Sequence, residues 1–206
     1  MSRLVALHVG GQREPWQNLG LPFTGSIGML GDVELIINPT GGPGLQRWTI
    51  GSDSDRDIEI DGIPTSLVSS WSEHPSTSPF ADQRIVRLDH VVVNTDNLDR
   101  TSEAIESALG LPARRDRDAG NGVSQRFHTL DNTIIELVSG PHITTPGASL
   151  WGMVVSVDDL FDLADGLGPD VASPPKRAVQ PGRYISTVRS ASGLGVPFAM
   201  MTPHIK

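Results

Sequence analysis

His90, in "RLDHVVVN", and Glu136, in "TIIELV", are the two residues of this chain best placed to do chemistry together. Each sits in a short β-branched run that reads as a strand, and strand side chains alternate between two faces. His90 then shares a face with Leu88 and Val92, and Glu136 with Ile134 and Val138. Between "VSQRFHTL" and "TIIELVS" stand Asp131 and Asn132, a pair suited to a two-residue hairpin turn. Such a turn sets Phe127 opposite Glu136, puts Gln125 and Thr129 on the same face, and sends His128 away with Ile135. A surface carrying His90, Gln125, Phe127 and Glu136 is mostly apolar with a few polar anchors, the usual makeup of a small-molecule site. The same residues also read as core, with His90 and Glu136 satisfying each other. Arg183 and Arg189 bracket "RYISTVR". An arginine on a pocket wall clamps a carboxylate through two parallel hydrogen bonds, whereas most strand-end arginines meet solvent. Trp151, in "LWGMV", and Trp48, in "QRWTI", read either as pocket walls or as packing anchors.

Much other chemistry is excluded. The chain has no cysteine, so thiolate metal sites, cysteine nucleophiles and disulfides are ruled out. It lacks a G-x-S-x-G elbow, an H-E-x-x-H pair and a P-loop. "DSDRD" has two carboxylates but not the rest of a calcium loop. A formal charge of −8 disfavours nucleic acid and anionic membrane surfaces as partners. No apolar run approaches the roughly 20 residues that span a bilayer, and the N-terminal stretch lacks the long apolar core of a signal peptide. A cytoplasmic protein is expected, with a small-molecule ligand; a homodimer stays open.

The elements that would position these residues occur twice. "RIVRLDHVVVN" is a strand, Asp96 stands where a helix N-cap would, and Leu98, Thr101, Ile105, Ala108 and Leu109 recur at helical spacing until Gly110 and Pro112. The hairpin follows, with a further strand between Leu111 and Arg117. "WGMVVSV", "DLFDLADGLG", "RYISTVR" and "VPFAMM" repeat that order around a proline-rich excursion, "PDVASPPKRAVQPG". Gly152 stands 62 residues after His90 and Ala199 stands 63 after Glu136, a nearly constant offset that argues duplication. Units at 84–139 and 150–203 follow a linker at 69–83. Residues 1–68 read either as a degenerate further copy, shortened by at least one strand, or as a β-rich extension; 45–64 read as two short strands.

"LDHVVV", "DNLDRTSEAIESALGL" and "TIIELV" together resemble the vicinal oxygen chelate superfamily, which includes glyoxalase I, extradiol dioxygenases and bleomycin-resistance proteins. The resemblance covers residues 84–203, and 1–40 more faintly. It implies an α+β fold of paired βαβββ modules whose curved mixed sheets enclose a pocket. It also implies a divalent metal held by a His on the first strand and a Glu on the last strand of each module. His90 and Glu136 take those positions, with Glu136 the group that moves a proton, but Gly152 and Ala199 occupy them in the next unit. His8, in "LVALHVGG", and Glu34, in "DVELIIN", are the candidates to complete the set. Without them, two ligands hold a divalent ion weakly, and no stoichiometric metal is expected in the ordinary preparation. The implied function is a glyoxalase-type lyase, isomerase or dioxygenase. A metal-free binding or sequestering protein is the alternative, and a structural remnant of the fold the third reading.

Overall fold

The computed structural model of the chain describes residues 2–71 and 84–204. From residue 72 onward the expected linker lies outside the described residues.

Two curved mixed sheets make the molecule. The first contains β1 (Arg3–Gly10), β2 (Phe23–Thr24), β3 (Ile27–Leu30) and β4 (Val33–Asn38), with α1 (Glu14–Asn18) between the first two strands. It continues with β5 (Gly44–Gly51), β6 (Arg56–Ile60) and β7 (Ile63–Val68), so the stretch read as two strands makes three. Its order is β2-β3-β4-β1-β5-β7-β6. The second sheet begins with β8 (Ile85–Thr95), then α2 (Leu98–Leu109), β9 (Arg115–Gly120), β10 (Val123–Thr129) and β11 (Ile134–Ser139). It ends with β12 (Ala148–Val157), α3 (Leu160–Leu167), β13 (Lys176–Arg177), β14 (Tyr184–Val188) and β15 (Phe198–Met201). Its order is β13-β14-β15-β12-β8-β11-β10-β9, and it curls into a half-barrel.

One rule generates both sheets. The first strand of a unit lies parallel to its last, β1 with β4 and β8 with β11. Neighbouring units join through antiparallel first strands, β1 with β5 and β8 with β12. The unit formed by β5, β6 and β7 follows the same order but has no helix.

Local chemistry fixes the elements near the site. Helix α2 runs over the span its apolar spacing predicts, and Gly110 closes it in the left-handed region at φ 68°. Its N-cap is Asn97, not Asp96: the Asn97 side chain accepts from Arg100 N at 3.0 Å. Asp96 instead accepts from Gly147 N at 3.0 Å and from Arg100 at 2.5 Å. The turn at Asp131 and Asn132 forms as expected, closed by Leu130 N donating to Thr133 O at 2.9 Å. Asn132 also ties the two sheets together. Its side chain accepts from Leu4 N at 3.0 Å and donates to Leu4 O at 2.9 Å, as a strand partner would.

The core lies between the sheets and includes Leu7, Val9, Trp48, Val91, Val93, Ile105 and Val155. Trp48 is fully buried, with its indole N–H donating to Thr65 Oγ1 at 2.6 Å, so it is a packing anchor and not a pocket wall. Since Leu7 and Val9 point into this core, His8 points out of it; since Val91 and Val93 do, so does His90. The two histidines therefore face opposite sides of the molecule. No helix among the described residues is long and apolar enough to cross a membrane.

Candidate functional site

The outer, concave face of the half-barrel carries the polar cluster. Phe127 lies opposite Glu136 in the hairpin, as the turn requires, and His128 points the other way, buried between Ser102 Oγ at 3.1 Å and Leu111 O at 2.8 Å. Glu136 Oε2 lies 3.2 Å from His90 Nε2, and Gln125 donates to Glu136 Oε1 at 2.5 Å. Arg117 extends the row by donating to Gln125 Oε1 at 3.2 Å. His90 and Glu136 are each only 13% exposed. Burial pushes the Glu136 carboxyl above its ordinary range; the His90 and Arg117 charges oppose that shift and Asp89 adds to it.

A β-bulge supplies a residue that strand alternation hides. Val154 pairs with His90 but Val155 pairs with Leu88, leaving Asp89 as the extra residue of β8. Leu88 consequently turns into the core and does not share the face of His90, contrary to expectation. Asp89 turns toward His90, with Oδ2 3.3 Å from Nδ1. It also receives two hydrogen bonds from Arg183, at 2.8 and 3.1 Å, and one from Ser156 at 3.3 Å. Burial alone would raise the Asp89 carboxyl, but these hydrogen bonds and the neighbouring cations hold it well below the usual carboxylate range.

Three of the expected ligand-binding residues stand elsewhere. Arg183 is itself buried, donating to Asp89, to Thr202 O at 2.7 Å and to Gln180 Oε1 at 2.5 Å, so no fork remains for a substrate. Arg189 donates to Pro169 O at 2.5 Å and does not line the cavity. Trp151 is 48% exposed at a bulge of β12, also outside the cavity lining.

The cavity itself measures about 470 Å³. His90, Glu136, Gln125 and Phe127 line one side, with Ile185 and Met201 opposite, and the strap Lys176–Gln180 closes it. The proline-rich excursion was the sequence signal for that strap; nothing in the residue pattern marked Asp89 or Arg117.

No family model and no curated protein matches the chain. Solved structures do. A variant of 4-hydroxymandelate synthase from Streptomyces coelicolor matches over 99% of this chain and 93% of its own, at 15% identity and a TM-score of 0.70. Methylmalonyl-CoA epimerase from Mycobacterium tuberculosis matches over 61% of this chain and 93% of its own, at 18% identity and a TM-score of 0.51. Both are members of the vicinal oxygen chelate superfamily. This chain has the vicinal oxygen chelate fold.

Within that fold, the register tests the implied metal. Glu136 pairs with Val92 and Ala199 with Val154, which makes Gly152 and Ala199 the counterparts of His90 and Glu136. A Cβ on Gly152 would lie 2.7 Å from the Pro197 carbonyl oxygen, so the position has no room for a ligating side chain. Ala199 packs with Val154 and Met201 in a small apolar cluster on the concave face. Nor do His8 and Glu34 complete the set. His8 pairs with Ile36 as His90 pairs with Ile134, so Asn38, not Glu34, matches Glu136; Glu34 lies opposite Ala6. His8 hydrogen-bonds Thr49 Oγ1 at 3.0 Å on the far side of the molecule, and burial, with Arg47, pulls its pKa down. Among the described residues, no group of three or more His, Asp and Glu is placed to hold a metal ion. The residues present do not fit the metal centre that the fold implies.

Proposed function

We propose that this chain binds a small oxygen-bearing organic molecule in the cavity of the half-barrel, without a metal between protein and ligand. The observation that carries this reading is the division of the cavity into His90, Glu136 and Gln125 on one side and Ile185 and Met201 on the other. Fixed polar anchors beside an apolar wall orient a ligand without saturating it with hydrogen bonds. The fold is shared by an epimerase and a synthase, so it does not by itself choose a reaction.

One observation favours proton transfer as a second reading. Glu136, raised by burial, contacts His90, whose other nitrogen faces Asp89; this is a metal-free acid–base pair on a cavity wall. The experiment for both is a screen of small carbonyl and hydroxyl compounds with EDTA present, read by the ring-nitrogen NMR signals of His90. Ligands that shift His90 with EDTA present, and lose affinity in Glu136→Ala, support the binding reading. Ligands that bind only after a divalent ion is added refute it. Exchange of solvent deuterium into a bound carbonyl compound, abolished in Glu136→Gln, would establish the proton-transfer reading, and binding without exchange would discard it.

A further inference from the structure

The mouth of the cavity gathers cations from both edges of one sheet. Strands β9 and β13 are the outermost of the eight, yet Arg117 from β9 and Lys176 from β13 present their cations to the same cavity, because the half-barrel curls its edges toward each other; Arg177, paired with Tyr184, points to the other face. Five other arginines, Arg3, Arg47, Arg100, Arg126 and Arg183, are paired with aspartates. Arg117 and Lys176 make no salt bridge among the described residues. Glu136 lies within electrostatic reach of Arg117, but its two oxygens already meet Gln125 and His90. In a chain of formal charge −8, two cations brought from opposite sheet edges to one cavity, neither in a salt bridge among the described residues, favour an anionic ligand between them.

We propose that the ligand is an organic anion whose carboxylate or phosphate bridges Arg117 to Lys176, joining the two edges of the half-barrel. The proposal rests on the reading of this cavity as a ligand site and adds the class of ligand. Orientation follows from charge. The Glu136 carboxylate repels an anionic group from the floor, so that group stays toward Arg117 and Lys176. The rest of the molecule lies along Phe127, Ile185 and Met201, with a neutral oxygen toward Gln125 and Glu136. Arg117 supplies a planar fork suited to either anion, and Lys176 a point charge.

The test uses matched probes differing in charge: phenylacetate, phenyl phosphate and the neutral phenylacetamide, extended to further acid–amide pairs. Each is titrated into wild type and into Arg117→Gln/Lys176→Gln, with His90 ring NMR reporting occupancy. Lys176 is exposed and Arg117 half-buried, and circular dichroism confirms that the variant folds. The expected result is that acids bind and amides bind at least about tenfold more weakly, with about tenfold lost for each cation removed. Affinity should also fall as salt rises. A preference for phenylacetate or for phenyl phosphate identifies the anionic group. Amides that bind as well as acids, or acids that bind the double variant unchanged, overturn the anion proposal while leaving the cavity as a ligand site. If no member of the panel shifts His90, both readings fall.

Discussion

Replacing Arg183 with Met should expose how heavily the fold relies on the ion pair behind His90. Arg183 and Asp89 are 1% and 0% exposed, and both carboxylate oxygens accept from the guanidinium. Arg183→Met leaves that carboxylate buried with only Ser156 and His90, each at 3.3 Å, and strips partners from Gln180 and the Thr202 carbonyl. Breaking a buried pair from one side costs about 3–5 kcal/mol. For a chain of this size about 1 kcal/mol moves the unfolding midpoint by about 2–4 °C, so the expected drop is roughly 6–20 °C. The double variant Arg183→Met/Asp89→Asn removes the stranded charge and should recover most of the loss. Acidity gives an independent check. In wild type the Asp89 carboxyl is depressed, so its stabilisation is present above the unfolded carboxylate pKa and is lost as pH falls through the folded value. Without the guanidinium, burial raises Asp89 instead, and the carboxyl takes up a proton on mild acidification. The gap between wild type and Arg183→Met should therefore narrow from pH 7 toward pH 4 in thermal melts followed by circular dichroism. A drop below about 3 °C, or a gap that stays constant with pH, would refute the reasoning.

Three further perturbations test other parts of the account. Glu136→Gln should gain stability relative to wild type as pH rises from 4 to 7, because a raised carboxyl favours the folded state below its unfolded pKa and loses that advantage through its folded one; urea midpoints across the range measure this. Gly152→Ala should destabilise by about 1–3 kcal/mol, against the gain that strand Gly→Ala normally brings, because the new Cβ meets the Pro197 carbonyl; chemical denaturation decides the sign. Asn97→Ala should cost about 1 kcal/mol through the lost cap on α2, with amide exchange speeding up at Arg100.

What was legible in the residues was periodic or local. The apolar spacing from Leu98 to Leu109 and the glycine after it marked α2, and the Asp131–Asn132 turn set Phe127 opposite Glu136. From that one register came the meeting of Glu136 with Gln125 and, across β8, with His90. Alternation failed where the strand broke its own period. The bulge at Asp89 turned Leu88 inward and set a buried aspartate behind His90, and no residue type announces a bulge of that kind. Arg183 looked like a clamp because the buried acid that claims it lies 94 positions away. His8 and Glu34 matched the site by residue type, but they stand on the other sheet facing away from His90, and Glu34 lies four positions before Asn38, the counterpart of Glu136. That Arg117 and Lys176 line one cavity depends on sheet curvature, a property of the whole half-barrel and not of any segment within it.

The most direct test is a crystal structure after soaking small oxygen-bearing fragments, acids and matched amides, in EDTA. Fragment density is expected inside the half-barrel, against Glu136 and Gln125 and beneath the Lys176–Gln180 strap, with acid groups toward Arg117 and Lys176. A different cleft, between Asn18–Leu21 and α3 near Met200, offers about 340 Å³ without any comparable acid–base pair. Density confined to that cleft, or ligand in the half-barrel only when a metal sits between His90 and Glu136, would contradict that expectation.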